Sequence, residues 1–250
     1  MRINELNDYL LSLFDGEKLT QFKDEWGFTY KASKDIFRIG YATNLTPETV
    51  QDAIDKEVNL IITHHDAWGF VFGMKEKCMD MLEKHGISHY FNHALLDDAD
   101  FGTNVSLMNK VGAAIVEKSN LYQDTLFAGR IGEFECPVSF SELTAKIESI
   151  LGEPVKAWQN NHKQIKRLCV VTGGGSMTSD VKEAVDRNCD VYITGEKVLY
   201  TVQYAKFAGI NLIVGSHTHT EVFGVESLAF RVRESYKDLE IVRLREEHIE

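Results

Sequence analysis

Branched apolar runs and helical stripes alternate along most of this chain. From Ile36 to Thr43, IFRIGYAT alternates apolar and polar positions as a half-buried strand does. VNLIITHH, ending at His65, is instead an unbroken apolar run, the mark of a strand covered on both faces in a parallel sheet. Helical spacing appears in INELNDYLLSLFD near the start and in the segment from Met74 to His85, which stops at Gly86. Thr46-Pro47-Glu48-Thr49 predicts a helix start, with a threonine cap and proline in the first turn, running to about Lys56. ISHYFNH reads as a short strand and TNVSLMNKVG as a helix closed by glycine. In the centre, LFAGRIGEF reads as a strand with glycine bends and SELTAKIESILG as a capped helix. From Ile165 the alternation resumes: IKRLCVVTGGGS, a helix near Thr178 to Arg187, then DVYITGE. A helix from about Val198 to Phe207 leads to INLIVGSH, a helix near Glu221 to Phe230, and a last strand, LEIVRL. This order implies βαβ crossovers, an α/β fold and mostly parallel sheet.

Composition narrows the class. The chain has 250 residues, 44% of them hydrophobic, enough for one large α/β unit or two interlocked smaller ones. Three prolines and no low-complexity tract argue against long disordered linkers. A formal net charge of -11 repels phosphate backbones and argues against nucleic-acid binding. No apolar run approaches the ~20 residues that span a bilayer, so no membrane partner is expected. The start, MRINELNDYLLSLFDGEK, places acids where a signal peptide would be apolar. Cys78, Cys136, Cys169 and Cys189 form no CxxC pair or metal-knuckle spacing, and Cys169 reads as a buried free thiol. A reducing cytoplasm is the expected location.

The chemistry gathers at strand ends, where open α/β sheets collect their ligands. Three clusters stand there: His64-His65, then His93 with Asp97, then His217-Thr218-His219 with Glu221. Each alone has a plain reading as a solvated end or a surface pair four residues apart. Together they supply imidazole and carboxylate donors enough for two metal ions, since a spacing of four puts two side chains on one face of a turn. Adjacent residues normally point apart, so His64 and His65 are expected to serve different metals. Without a nearby cysteine the set favours an open hydrolytic site over a structural zinc, and zinc, iron or manganese would suit it. Two such ions ~3.5–4 Å apart can hold a bridging water, lower its pKa and present hydroxide to an electrophile. His219 could be a further ligand or a proton shuttle. Glu196, closing DVYITGE, could be a general acid/base, an orienting partner of a ligand histidine, or simply an acid at a helix start.

Smaller features keep two readings each. Gly173-Gly174-Gly175-Ser176 could bind phosphate through backbone N–H groups, or merely allow a tight turn. It lacks the P-loop lysine. Trp68, Phe70 and Phe72 could wall a pocket or belong to a core or subunit interface. His85, His89, His162 and His248 have no partner by spacing and read as ordinary. The string SHTH is similar to metallophosphoesterases and amidohydrolases, but the early D-x-H, the G-D and the G-N-H-[DE] of phosphoesterases are absent in that arrangement.

Taken in order, ITHHDAWGF, FNHALLDD, TGGGS, ITGE and GSHTHTE resemble the YbgI-like dinuclear metal centre family, also called the NGG-one-interacting-factor-three family. Its members often carry the label GTP cyclohydrolase type-two homologue. The resemblance covers roughly Ile36 to Phe230 and implies two divalent ions held by His64, His65, Asp97, His217 and Glu221, with Glu221 as the bridge. It implies a single unit of two similar, interlocked α/β lobes facing each other, the metal site in the cleft between them. These lobes would cover about 1–125 plus the C-terminal strand, and about 126–235, with no central insertion. It further implies a toroidal homohexamer with its sites facing an internal cavity. Three departures stand out. DEWGFTYK replaces the usual D-N-x-G-L, Asp66 replaces the proline after the histidine pair, and GSHTHTE adds His219 to the late segment. LDDAD also adds Asp98 and Asp100 as competing ligands. The expected function is metal-dependent hydrolysis of a nucleotide-like or phosphorylated small molecule, with Glu196 and His219 in catalytic roles. A non-catalytic scaffold, metal carrier or regulatory protein would use the same ligands.

Overall fold

The computed structural model describes residues 1–32 and 35–247, so His248 lies outside the described residues. By backbone contacts the chain divides into two units, Met1–Ala99 with the segment from Val225 onward, and Asp100–Gly224.

The first unit opens with helices α1 (Ile3–Ser12) and α2 (Gly16–Gln21) and strand β1 (Trp26–Tyr30). It continues through β2 (Arg38–Asn44), α3 (Pro47–Asp55), β3 (Leu60–His65), α4 (Met74–His85), β4 (Ser88–Asn92) and the short α5 (Ala94–Asp98). β2, β3 and β4 pair in parallel, with β1 antiparallel on β4. The α3 start matches its sequence signal. The Thr46 hydroxyl accepts the Thr49 N–H at 3.2 Å, and the Thr49 hydroxyl accepts the Thr46 N–H at 2.8 Å. Every residue of β3 is buried, as its apolar run predicts. Ile61 packs into a core with Ala42, Val50, Ala53, Cys78 and Leu82, contributed by β2, α3 and α4. Each such aliphatic side chain, fully buried, contributes about 1.5–3 kcal/mol of transfer free energy. This packing fixes the level at which β3 delivers its last two residues, the histidine pair.

The second unit runs α6 (Thr103–Val111), β5 (Ala114–Gln123), β6 (Leu126–Val138), α7 (Phe140–Leu151), β7 (Lys156–Trp158) and β8 (Ile165–Val171). It goes on through α8 (Thr178–Asp186), β9 (Val191–Thr194), α9 (Leu199–Ala208) and β10 (Asn211–Val214) to α10 (His217–Ser235). Its six strands lie in the order β5-β6-β8-β9-β10-β7. Only β8-β9 and β9-β10 are parallel pairs; the other three neighbours are antiparallel. The expected mostly parallel sheets thus become mixed ones here. One of these antiparallel pairs comes from the tight turn at Asp124, which folds β5 and β6 into a hairpin instead of a crossover. That hairpin also places residues 114–123 in the second unit's sheet. From Val225, α10 belongs to the first unit, and β11 (Glu240–Arg243) closes that unit's sheet, parallel to β2. Among the described residues, no helix is long and apolar enough to cross a membrane.

Candidate metal centre

In the first unit, the end of β3 and the start of α5 supply the donors. The Nδ1 of His64 donates to the Asn92 carbonyl at 2.9 Å, and that of His65 donates to the Asn44 side-chain oxygen at 2.8 Å. A ring whose Nδ1 carries the proton keeps its Nε2 lone pair for a metal. The His64 Nε2 stands 3.4 Å from an Asp97 carboxylate oxygen. Asp97 is held by the turn that begins at His93, whose carbonyl accepts the Asp97 N–H at 3.2 Å. His93 donates through Nδ1 to Glu25 at 2.6 Å, and that hydrogen bond draws the Glu25 carboxyl below its ordinary value. One ring nitrogen each of His64, His65 and His93 lies within 4.8 Å of the others. The centroids of the two adjacent rings are 4.5 Å apart, the planes tilted against each other. Trp68 lies tilted against His65 at 4.6 Å and Phe70 against Trp68 at 5.3 Å, so the aromatic segment begins on the His65 ring and ends exposed.

In the second unit, α10 begins at His217, earlier than the apolar stripe predicts, which puts His217 and Glu221 on successive turns of one helix. The His217 Nε2 is 3.2 Å from Glu221 Oε1, and its Nδ1 donates to Glu196 at 2.7 Å. Burial works against charge on this ring, but Glu221 and Glu196 outweigh it and push His217 up to about 11. A divalent cation would replace that proton between the same carboxylates. The glycine turn lies directly over this pair. Gly173 has φ +64, and a Cβ there would meet the Glu221 carboxylate carbon at 2.7 Å and His217 Nε2 at 2.8 Å. Its N–H donates to the Thr220 hydroxyl at 3.0 Å, tying the turn to α10. The acidic surroundings disfavour a phosphate at this turn; its glycine makes room for the donors.

His219 is held by a different carboxylate. Its Nδ1 donates to Glu153 at 2.8 Å, and the other Glu153 oxygen accepts the Ser216 N–H at 2.7 Å. Burial raises the Glu153 carboxyl, yet the bonds from His219 and Ser216 prevail and bring it down to about 2. Asp98 and Asp100 do not join the donors: Asp98 pairs with Lys18, and Asp100 is exposed near Lys118. The bonds to Glu25, Asn44, Asn92 and Glu153 were not foreseen. Glu25 lies within DEWGFTYK, but nothing in its spacing marks it as a histidine partner. His89 also gains partners. Thr63 donates its hydroxyl to the His65 carbonyl at 2.7 Å, so it must accept from His89 Nε2 at 2.8 Å, leaving His89 Nδ1 to accept from Thr29 at 2.6 Å.

Each unit therefore carries clustered imidazole and carboxylate side chains whose ring orientation suits a divalent metal. A family model described as Duf34/NIF3 (NGG1p interacting factor 3) matches residues 1–248. The GTP cyclohydrolase 1 type 2 homolog of Pyrococcus horikoshii is 28% identical over 241 residues, 89% of this chain and 94% of the relative. Its counterpart in Archaeoglobus fulgidus is 26% identical over 213 residues, 83% and 84% of the two chains. Among solved structures, the protein ybgI, of unknown function, superposes with a TM-score of 0.85 at 22% identity over 99% of each chain. Reduced HcgD from Methanocaldococcus jannaschii gives 0.81 at 23% identity over 98% of each. These structural likenesses are likenesses of fold. With a family model spanning nearly its whole length, the chain belongs to the Duf34/NIF3 family.

Proposed function

We propose that His64, His65, Asp97, His217 and Glu221 hold two divalent metal ions, and that the protein is a metal-dependent hydrolase of a nucleotide-like or phosphorylated small molecule. One observation carries the reading. In His64, His65 and His217 alike, Nδ1 is given to an oxygen acceptor, which leaves Nε2 as the donor. Such orientation is wasted on solvated histidines and is what metal ligation requires. Glu221, buried beside His217, is the carboxylate suited to bridge two ions. When bound, such ions supply polarisation of an electrophile and acidification of water. The chain's own contribution is to aim the rings and to manage protons. Glu196 fixes the His217 ring, and the His219–Glu153 pair offers a second imidazole to accept or return a proton.

The test is metal content of untreated protein beside a His65→Ala variant, followed by turnover of nucleotides, phosphoesters and cyclic amides. Near two tightly held transition-metal equivalents in the native protein, a loss in the variant, and metal-dependent turnover are expected. Absence of bound metal would sink the reading. Readily exchanged metal with no turnover would instead establish a carrier or scaffold.

A further inference from the structure

We infer that Glu246, in the acidic C-terminal segment, is a positioning residue that sets the orientation and proton placement of the His65 ring through Asn44. The inference rests on the metal reading of His65 but concerns a residue outside the donor set.

The geometry follows from the sheet. Asn44 is the register partner of His65 across the parallel β2–β3 pair. On the other side of β2, the β11 pairing sets Arg243 against Tyr41, and the same offset brings residue 246 level with Asn44. The tail is fastened there. Leu244 donates its N–H to the Tyr41 carbonyl at 2.9 Å, and its side chain fills the space over Gly40, where a Cβ would stand 2.8 Å from it. Lys56 reaches the Arg243 carbonyl at 2.9 Å, and Asp52 accepts the Arg245 N–H at 2.8 Å. Beyond that point a carboxylate takes over the work of a main-chain carbonyl. Glu246 accepts the N–H of Thr43 at 2.8 Å and that of Asn44 at 2.9 Å.

The same carboxylate accepts the Asn44 side-chain amide at 3.1 Å. This last bond decides which end of the amide faces His65. A carboxylate can only accept, so it takes the NH2 end of Asn44, and the oxygen end is turned to His65. That oxygen accepts from Nδ1 at 2.8 Å, so the proton sits on Nδ1 and Nε2 is left with its lone pair. With the carboxylate gone, the amide loses the acceptor that sets its direction and can present NH2 to Nδ1. The ring would then carry its proton on Nε2 and could not ligate through it. Glu246, Asn44 and His65 form one directional row from the segment after β11 across β2 to β3, ending on the ring nitrogen. A histidine-supporting partner of this kind typically alters metal affinity by about 10- to 100-fold.

The experiment compares wild type with Glu246→Ala and Asn44→Ala in two readouts. Metal affinity is measured by competition with a chromophoric chelator for zinc, and the protonated ring nitrogen of His65 is read by 15N NMR of chelator-treated protein. Glu240→Ala is the control, because it removes a β11 acid that pairs with Arg38 at 2.6 Å, far from Asn44 in register. The expected result is about 10- to 100-fold weaker zinc binding in both variants, loss of the Nδ1-protonated signal in Glu246→Ala, and no change in the control. A merely structural role would lower the stability of Glu246→Ala without moving the ring's proton. Wild-type affinity together with an Nδ1-protonated His65 in Glu246→Ala would overturn the inference. Should Glu246→Ala not fold, unchanged affinity in Asn44→Ala overturns it equally. If wild type binds no divalent metal, the metal reading fails, and the ring signal still decides the role of Glu246.

Discussion

Gly173 and Gly174 are neighbours with opposite tolerances. A Cβ on Gly173 would enter the space of Glu221 and His217, in a left-handed backbone (φ +64) that a side chain resists, whereas the nearest atom to one on Gly174 is 3.8 Å away. Gly173→Ala should therefore cost about 1–3 kcal/mol of stability and displace Glu221, lowering metal content, while Gly174→Ala keeps both. Urea unfolding and elemental analysis of the two variants check this; equal metal in both would remove the steric account. At this scale the sequence was legible where chemistry is local. His217 and Glu221 are four apart and so share a helical face, and the spacing of His93 and Asp97 marks the single turn that holds Asp97. It was silent on the partners that aim the rings. Asn44 lies 21 residues from His65, Glu25 68 from His93 and Glu153 66 from His219, and only tertiary packing joins them.

At the scale of elements, the side chains of Thr29 on β1, His89 on β4 and Thr63 on β3 form one buried hydrogen-bond row that ends on the His65 carbonyl. Burial pushes His89 down to about 4, with Asp66 opposing and Lys75 assisting. The sign follows from comparing the folded value with the ordinary 6.5. Above 6.5 both states are neutral and the row is intact; as pH falls from 6.5 toward 4 the unfolded chain takes up the proton first, and stability is lost. The loss attributable to this one group is at most about 3 kcal/mol. Urea midpoints at pH 7.5 and pH 5 should diverge in wild type and converge in His89→Gln, which keeps a donor and an acceptor but does not titrate. An equal fall in the variant would assign the acid sensitivity elsewhere. The elements that the sequence displayed are those with one clean pattern, the unbroken apolar run of β3 or the helical stripe of α4. β5 was hidden because it is an edge strand with bulges between Ile115 and Glu117 and between Leu121 and Gln123. Each bulge sets two apolar residues side by side and breaks the alternation. Without β5, the second sheet looked parallel.

For the whole molecule, the question is what covers its exposed apolar side chains. Phe72 is 98% exposed, Phe207 87%, Phe70 73% and Leu199 72%, an unusual load of large apolar groups for a chain that works alone. The family resemblance supplies a proposal, a homohexamer in which neighbouring copies cover them. Charge works against it. Each copy carries a formal -11, so six must be brought together against mutual repulsion that salt screens within about 10 Å at 0.1 M. Apolar burial is not weakened by salt in this way, so assembly should tighten as ionic strength rises, the reverse of an interface held by ion pairs. Light scattering behind size exclusion should give six times the 28.4 kDa chain mass at 0.3 M salt, with dissociation favoured on dilution at low salt. Phe207→Glu and Phe72→Glu each place a new negative charge on a surface meant to be dry, and at least one should shift the mass toward that of a single chain. A monomer at every salt concentration, with both variants indistinguishable from wild type, would mean that these side chains serve something other than a second copy.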